Sequence, residues 1–279
     1  MEVLRTIAAV RAARRAVAGS VGLVPTMGYL HEGHLALVEA ARAADDCLFV
    51  SIFVNPSQFG PNEAFATYPR DEERDLELLD AAGVDYVFLP EASAIYPPGF
   101  ATTVDVGAVA EPLEGKFRPG HFRGVATVVL KLLQIVRPDR AYFGQKDAQQ
   151  LAVVRRLVRD LDLEVEVVAL PTVRDANGLA LSSRNVRLSP VEREAAPVLW
   201  QALSLAREIW TRGARDAETY RRRLRELIDA EPLARIDYVS VADPETLEEL
   251  ERIKGAALIS LAVRIGEVRL IDNVVLGAD

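Results

Sequence analysis

The sequence predicts an α/β protein with a doubly wound parallel sheet, followed by a smaller α+β domain. Over the first two thirds of the 279 residues, short apolar runs alternate with amphipathic helical stretches, which is typical of a parallel sheet with helices on both faces. From Ser189-Pro190 onward the pattern changes to charged helices and then to β-rich runs. We therefore expect two domains, at residues 1–180 and 181–279, with the boundary inside the segment 175–188.

Local patterns predict each element in turn. Apolar, β-prone runs predict strands of the first domain near 21–24, 48–54, 84–89, 140–143 and 165–169. Helical spacing predicts helices at about 34–44, 70–82, 124–136 and 147–161, the second opening after Pro69 and closing at Gly83. Right-handed crossovers between these strands build a doubly wound sheet.

The second domain has its own start and turn signals. Ser189 is a predicted helix cap, with Pro190 at the first helical position and Glu192 near the capping-box place. Charged helices are predicted to run to about residue 230, and strands are predicted at 236–241, 257–263 and 268–271. Gly266 is expected in the turn between the last two strands.

Composition restricts the classes of function. The net charge of -8 argues against a nucleic-acid binder, which needs a basic surface. The single cysteine, Cys47, begins an apolar run and has no intrachain partner, so we expect a buried thiol in a reducing compartment. Neither a signal peptide nor an apolar run of about 18 residues is found, so we expect a cytoplasmic protein without a membrane partner.

The most informative segment joins the first strand of this pattern to the next helix. That turn lies at the predicted carboxyl edge of the sheet, where α/β proteins bind ligands. A phosphate ligand is favoured by three features of this turn. These are a helix amino terminus, two glycines that allow close approach of the backbone to the ligand, and two histidines. A P-loop is rejected, because a histidine and a leucine stand where its Lys and Ser/Thr should be. The segment reads Pro25-Thr26-Met27-Gly28-Tyr29-Leu30-His31-Glu32-Gly33-His34.

Two further segments follow predicted strands. In Phe143-Gly144-Gln145-Lys146-Asp147, the glycine admits a nucleotide, Lys146 offers a charge to phosphate, and Asp147 can bind ribose hydroxyls or cap the helix. Ser182-Ser183-Arg184 combines two hydroxyls with a guanidinium that can bind phosphate bidentately. Each segment alone is also compatible with a solvated helix start or a polar loop. Together they are expected to converge with the histidine turn on one sheet edge.

Neutral amides suggest a second ligand. The loop Asn55-Pro56-Ser57-Gln58-Phe59-Gly60 ends the second of these strands, and its amides suit a small hydroxylated acid. Gln149 and Gln150 lie on the first turn of the helix after Asp147, where either can reach inward. The basic loop 116–124 is either a lid over anions or a surface excursion.

These segments resemble the pantoate–β-alanine ligase (pantothenate synthetase) family. The histidine pair resembles the His-x-Gly-His signature of the nucleotidylyltransferase superfamily, whose histidines contact the α- and β-phosphates of ATP. Further segments occur in family order and extend the resemblance over residues 20–190. They are Pro25 to Gly28, Phe53 to Pro56 with Gln58-Phe59, Lys146-Asp147 with Gln149-Gln150-Leu151, and Gly178-Leu179-Ala180 with Ser182 to Asn185.

The resemblance implies a Rossmann-like domain at 1–180 that binds ATP and pantoate, a smaller closing domain at 181–279, and a homodimer. It implies condensation of (R)-pantoate with β-alanine through pantoyl adenylate, with Mg²⁺ bound to the ATP phosphates and release of AMP and pyrophosphate. No metal-ligating residue is assigned.

The resemblance also implies residue roles. His31, His34, Lys146 and Arg184 would be catalytic, with His34 assisting as proton donor. Gln58 and Gln150 would bind pantoate, Gln58 would also lie near β-alanine, and Asn55 is grouped with them. The ATP contacts would be Pro25, Thr26, Met27, Gly28, Tyr29, Leu30, His31, Glu32, Gly33, His34, Gly144, Gln145, Lys146, Asp147, Val173, Leu181, Ser182, Ser183 and Arg184. Leu181 replaces a usual Met, and Gln145 a more frequent Glu.

Four alternatives stay open at this point. His31, His34 and His121 could form a three-histidine zinc site of a hydrolase. An adenylyltransferase acting on a phosphorylated acceptor is disfavoured by the neutral pair Gln58 and Gln150. An aminoacyl-tRNA synthetase is disfavoured by the acidic chain, and a non-catalytic binding module would not turn over ATP.

Overall fold

A computed structural model describes residues 1–60, 65–66 and 68–277. The chain divides into two compact units, the first comprising Met1–Gly144 with Val153–Pro171 and the second comprising Gln145–Ala152 with the chain from Thr172 onward. Among the described residues, no helix combines the length and the apolar character that crossing a bilayer requires.

The first unit contains a six-stranded parallel sheet in the order β1-β4-β3-β2-β5-β6. The strand order reverses between β2 and β5, which places a crevice beyond their carboxyl ends. The strands are β1 (Glu2–Leu4), β2 (Val21–Thr26), β3 (Cys47–Ile52), β4 (Tyr86–Phe88), β5 (Arg140–Gly144) and β6 (Glu166–Leu170). The predicted doubly wound parallel sheet is therefore confirmed.

The helices of this part of the chain are α1 (Ile7–Ala16), α2 (Glu32–Ala44), α3 (Glu72–Ala81), α4 (Ala92–Ile95), α5 (Glu114–Phe117), α6 (His121–Val136) and α7 (Ala148–Asp160). All four predicted helices are present. The sequence patterns missed β1, α1 and α4, because β1 and α4 have only three and four residues and α1 buries only Val10.

The prediction of a basic loop over residues 116–124 was wrong in part, because α5 ends at Phe117 and α6 begins at His121. Gly120 has a φ of 81° and starts α6 from the left-handed region, which suits glycine. His121 and Gly124 therefore lie in the first turns of a helix.

Apolar side chains on the sheet and its covering helices form the core of the first unit. All six residues of β3 are buried, as expected for a central parallel strand covered on both faces. Val24, Val38, Leu79 and Val87 belong to one buried cluster that joins the sheet to α2 and α3. The sheet is thereby the packed base for the loops at its carboxyl edge.

The second unit contains helices α8 (Pro190–Ala195), α9 (Val198–Thr211) and α10 (Ala217–Asp229) and strands β7 (Ala234–Ala242), β8 (Ala257–Ile265) and β9 (Val268–Leu276). The strands form an antiparallel sheet in the order β7-β8-β9. The predicted capping box is confirmed, because Glu192 N donates to Ser189 Oγ and Ser189 N donates to Glu192 Oε2. Gly266 lies in the β8–β9 turn, as predicted.

The observed division differs from the predicted boundary between 180 and 181. The second unit begins at Thr172 and also takes in residues 145–152. The side chain of Asn273 on β9 donates to the carbonyl oxygens of Gln145 and Lys146 at 2.9 Å. Such long-range bonds leave no mark in local composition, which was the basis of the predicted boundary.

Candidate active site

The turn between β2 and α2 is held by a buried carboxylate from α3. Asp75 accepts hydrogen bonds from Tyr29 N at 2.6 Å and from Leu30 N at 2.7 Å. A Cβ at Gly28, where φ is 80°, would lie 3.0 Å from Asp75 Oδ2. Both the backbone conformation and the close carboxylate therefore require glycine at this position.

Two opposing effects act on the pKa of the Asp75 carboxyl. Burial raises the pKa of its carboxyl above the usual value, whereas the two backbone N–H donors lower that pKa by a smaller amount. Arg74 contributes from the same helix, because its Nη1 donates to Leu30 O at 3.0 Å. The carboxylate and the guanidinium thus hold the backbone immediately before the histidine pair.

The two histidines of this turn cap α2. His31 Nδ1 accepts from Gly33 N at 3.2 Å, and His34 Nδ1 accepts from His31 N at 3.3 Å. The rings lie with centroids 4.1 Å apart. Because Nδ1 accepts in both rings, the proton of each neutral imidazole lies on Nε2. Each Nε2 is therefore a hydrogen-bond donor next to a helix amino terminus, an arrangement that suits an anionic ligand.

An amide cluster follows β3 in the same unit. Asn55 Nδ2 donates to Gln58 Oε1 at 3.1 Å and to Gly124 O at 3.1 Å. Tyr96 Oη donates to Asn55 Oδ1 at 2.8 Å. Gln58 Nε2 donates to Met27 Sδ at 2.8 Å, and a thioether is a weak acceptor. A ligand hydroxyl or carboxylate would be a stronger partner for this amide.

His121 supports that cluster from α6. Its Nδ1 lies 2.8 Å from Gln58 O and its Nε2 lies 3.0 Å from Arg118 Nη1. Both ring nitrogens therefore have protein partners, which disfavours the three-histidine zinc site. Among the residues that the structure describes, no group of three or more His, Cys, Asp or Glu side chains is arranged to hold a metal ion.

In the second unit, a hairpin loop joins two segments predicted to contact ATP. Leu181 N donates to Val173 O at 2.9 Å, and Arg174 pairs with Ala180 in an isolated antiparallel bridge. Gly178 closes the loop with a φ of 91°. Val173 and Leu181 are thus brought side by side.

The phosphate-binding candidates of the second unit share one cleft. Lys146, Ser182 and Arg184 line it together. Ser182 Oγ accepts from Arg184 N at 3.2 Å and begins a short 3-10 turn over Ser183–Arg187. Lys146 Nζ lies 3.5 Å from Asp147 Oδ1. One ammonium, one hydroxyl and one guanidinium therefore border the same space, which suits phosphate.

The predicted site residues fall into two sets. Residues 25–34, Asn55 and Gln58 cluster in the first unit, and residues 145–147, Val173 and 181–184 cluster in the second. Gly144 ends β5. Gln150 is partly buried on the first turn of α7, whereas its neighbour Gln149 is buried.

Sequence patterns did not single out two residues that shape the site. Asp75 lies on an acidic helix turn and is buried, although neighbouring acidic residues there are exposed. Tyr96 binds Asn55 across a separation of 41 residues. An acidic residue at a core-facing position of a helix was an available signal for Asp75, whereas nothing local marked Tyr96.

Comparison with known proteins gives a consistent family. The model of the pantoate–β-alanine ligase family matches residues 2–275. The chain is similar to the pantothenate synthetase of Roseiflexus sp. (strain RS-1), with 60% identity over 278 residues and 100% of each chain covered. It is 62% identical over 274 residues to that of Chloroflexus aurantiacus (strain ATCC 29366 / DSM 635 / J-10-fl), covering 98% of this chain and 97% of the relative.

Solved structures give the same result. The pantothenate synthetase of Thermus thermophilus has a TM-score of 0.94 at 52% identity, with 98% of this chain and 99% of that one covered. The pantoate–β-alanine ligase of Francisella tularensis, solved in complex with β,γ-ATP and β-alanine, has a TM-score of 0.80 at 35% identity, with 98% and 97% covered. The chain therefore belongs to the pantoate–β-alanine ligase family.

Proposed function

We propose that this protein condenses pantoate with β-alanine in two steps, using Mg-ATP as a substrate. In the first step, a pantoate carboxylate oxygen attacks the α-phosphorus of ATP and pyrophosphate leaves. In the second step, the β-alanine amine attacks the acyl carbon of pantoyl adenylate, AMP leaves and the amine loses a proton. The Francisella tularensis relative, solved with an ATP species and β-alanine, supports two of the three substrates.

The observation that carries this proposal is the hydrogen-bond pattern of the histidine turn. The capping bonds fix both imidazole rings at the amino terminus of α2, where the helix dipole attracts phosphate oxygens. Charge builds on these oxygens as the α-phosphorus is attacked, and preorganised donors stabilise such charge. His31 and His34 are proposed to contact the phosphates, and no side-chain nucleophile is needed.

The same nucleotide is proposed to bind Lys146, Ser182, Ser183 and Arg184. Its nucleoside part is proposed to contact Val173, Leu181 and Asp147. The shared cleft of Lys146, Ser182 and Arg184 supports their part of this assignment. Mg²⁺ would enter with the nucleotide, since it is commonly held by substrate phosphates and few protein carboxylates.

Pantoate is assigned to Gln58, Asn55 and Gln150. Gln58 is buried, and its amide nitrogen has a thioether as its partner. A buried amide that gains a hydroxyl or carboxylate acceptor contributes to specificity, because an acid without that group leaves it poorly paired. The neutral amides also disfavour a phosphorylated acceptor, which is better matched by cationic side chains.

The deciding experiment is exchange of labelled pyrophosphate into ATP. We expect exchange with pantoate and magnesium in the absence of β-alanine, because adenylation precedes entry of the amine. Exchange that needs β-alanine, or that runs without pantoate, contradicts the two-step scheme.

A variant pair tests the pantoate assignment. Gln58→Ala should weaken pantoate binding by about 1 to 3 kcal/mol and leave ATP binding nearly unchanged. Gln134→Ala, on the exposed face of α6 in the same unit, is the matched control. Equal losses for both substrates in Gln58→Ala would mean that the residue is misassigned.

Two finer properties are proposed from family membership. We propose a homodimer, which sedimentation equilibrium would detect as twice the mass of 30.6 kDa. We also propose a cytoplasmic location, which the buried free thiol of Cys47 supports.

A further inference from the structure

Two consecutive polar residues on β9 interrupt the alternation of that strand. Positions 268, 270, 272, 274 and 276 are buried on one face, and 269, 271 and 275 on the other are partly exposed. Asn273 belongs to the more exposed face and yet is 4% exposed, while Asp272 on the core face is 3% exposed. Burying an amide and a carboxylate is costly unless both are hydrogen-bonded, so the partners of this pair show what it does.

Asn273 binds the segment that carries Lys146. Its Nδ2 donates to Gln145 O and to Lys146 O, both at 2.9 Å, and its Oδ1 accepts from Gln145 Nε2 at 3.1 Å. All three bonds go to two consecutive residues at the start of the 145–147 turn. The side chain thus fixes the backbone from which the Lys146 ammonium extends.

Asp272 binds the hairpin loop that carries the other phosphate-binding candidates. Arg174 donates to Asp272 through Nη1 at 2.5 Å and through Nη2 at 2.8 Å. The same guanidinium donates to Gly178 O at 3.0 Å and lies 3.9 Å from the Trp200 ring centroid. A planar bidentate pair that is also stacked on an aromatic ring allows little freedom of position.

The hairpin loop also fixes the position of residues 181–184. Its two strands are joined by the Val173–Leu181 hydrogen bond and by the Arg174–Ala180 bridge. Asn185 Nδ2 donates to Ala180 O at 3.0 Å, which fixes the start of the Ser182–Arg184 segment. Neighbouring side chains of one strand therefore hold two loops, separated along the chain by about 30 residues, that border one cleft.

We propose that Asp272 and Asn273 are positioning residues, which set Lys146 and the Ser182–Arg184 segment at the spacing that the ATP phosphates require. This inference rests on the proposed function. Asp272 borders the same cleft with its carboxylate bound by Arg174, and Asn273 acts through the backbone of residues 145 and 146. Their effect is to remove, before ATP binds, the freedom of two loops that binding would otherwise have to restrict.

The test uses conservative variants of the full chain. Asn273→Asp keeps the volume of the side chain but places a carboxylate oxygen against two carbonyl oxygens. Ser260→Ala is the matched control, because Ser260 lies opposite Asn273 in the β8–β9 register, is 5% exposed, and its hydroxyl has no hydrogen-bond partner. Arg174→Lys, which keeps the charge but loses the bidentate geometry, supplies a second variant if Asn273→Asp does not fold.

We expect the KM for ATP and the Kd for ATP from calorimetry to rise about tenfold or more in Asn273→Asp and Arg174→Lys, while the KM for pantoate changes less than about twofold. Ser260→Ala should retain the wild-type values. A folded variant with unchanged ATP binding, or with a lower kcat alone, would overturn the positioning role. A wild-type chain that does not bind ATP would instead refute the proposed function and this inference together.

Discussion

A single methyl group added at Gly178 tests the geometry of the hairpin loop. Gly178 is buried with a φ of 91°, and a Cβ built there lies 2.1 Å from Cδ1 of Trp200. Gly213, after the end of α9, has a nearly equal φ of 86° but nothing within 4 Å of its Cβ position. The pair Gly178→Ala and Gly213→Ala therefore separates steric overlap from backbone strain.

The expected magnitudes follow from these contacts. A non-glycine residue in the left-handed region costs about 1 to 2 kcal/mol, and both variants should show this loss. Overpacking adds about 1 to 3 kcal/mol at Gly178 alone. Moving the Trp200 ring also disturbs its stacking with Arg174, which contributes about 0.5 to 1 kcal/mol. The free energy of unfolding should thus fall by about 2.5 to 6 kcal/mol in Gly178→Ala and by about 1 to 2 kcal/mol in Gly213→Ala.

Equilibrium urea unfolding followed by tryptophan fluorescence measures the difference. The two tryptophans of the chain, Trp200 and Trp210, both lie in the second unit, so the signal reports on the unit that carries both substitutions. The KM for ATP should rise in Gly178→Ala and remain unchanged in Gly213→Ala. Equal losses of stability in the two variants would refute the overlap with Trp200.

Three further variants test other parts of the structure. His34→Ala should slow adenylation by two to three orders of magnitude, about 2.7 to 4 kcal/mol. Supplied pantoyl adenylate should still react with β-alanine in single-turnover assays. Equal slowing of both steps would contradict the role of His34 at the phosphates. Asp75→Asn should reduce pyrophosphate exchange by about tenfold to a hundredfold, because the β2–α2 turn would be displaced. Asp80 is exposed on the same helix, and Asp80→Asn should leave the exchange rate unchanged. Similar exchange rates in the two variants would exclude that role for Asp75. Cys47→Ala should retain most activity. Burial raises the pKa of the Cys47 thiol from 9.0 to about 11, so folding favours the protonated thiol. The wild type should therefore lose about 2 to 3 kcal/mol of unfolding free energy relative to Cys47→Ala as the pH rises through this range. Parallel curves of unfolding free energy against pH for the two proteins would rule out the raised pKa.

Local patterns determined most of the elements of this chain. Periodicity and turn residues predicted the main strands and helices of the parallel sheet, because an element buried on one or both faces imposes its own spacing on the apolar residues. The capping box at Ser189 and Glu192 was predictable because both partners lie within one helical turn. The histidine turn was also predictable, since strand, glycines and helix follow one another directly.

Tertiary structure decided the partners that hold the candidate site. Asp75 binds Leu30 across 45 residues, Arg174 binds Asp272 across 98, and Asn273 binds Gln145 across 128. No local pattern marks such pairs, because hydrogen bonds between distant segments depend on how the whole chain packs. The burial of Asn273 shows this directly: alternation along β9 assigns it to the more exposed face, and it is buried because residues 145 and 146 pack against it.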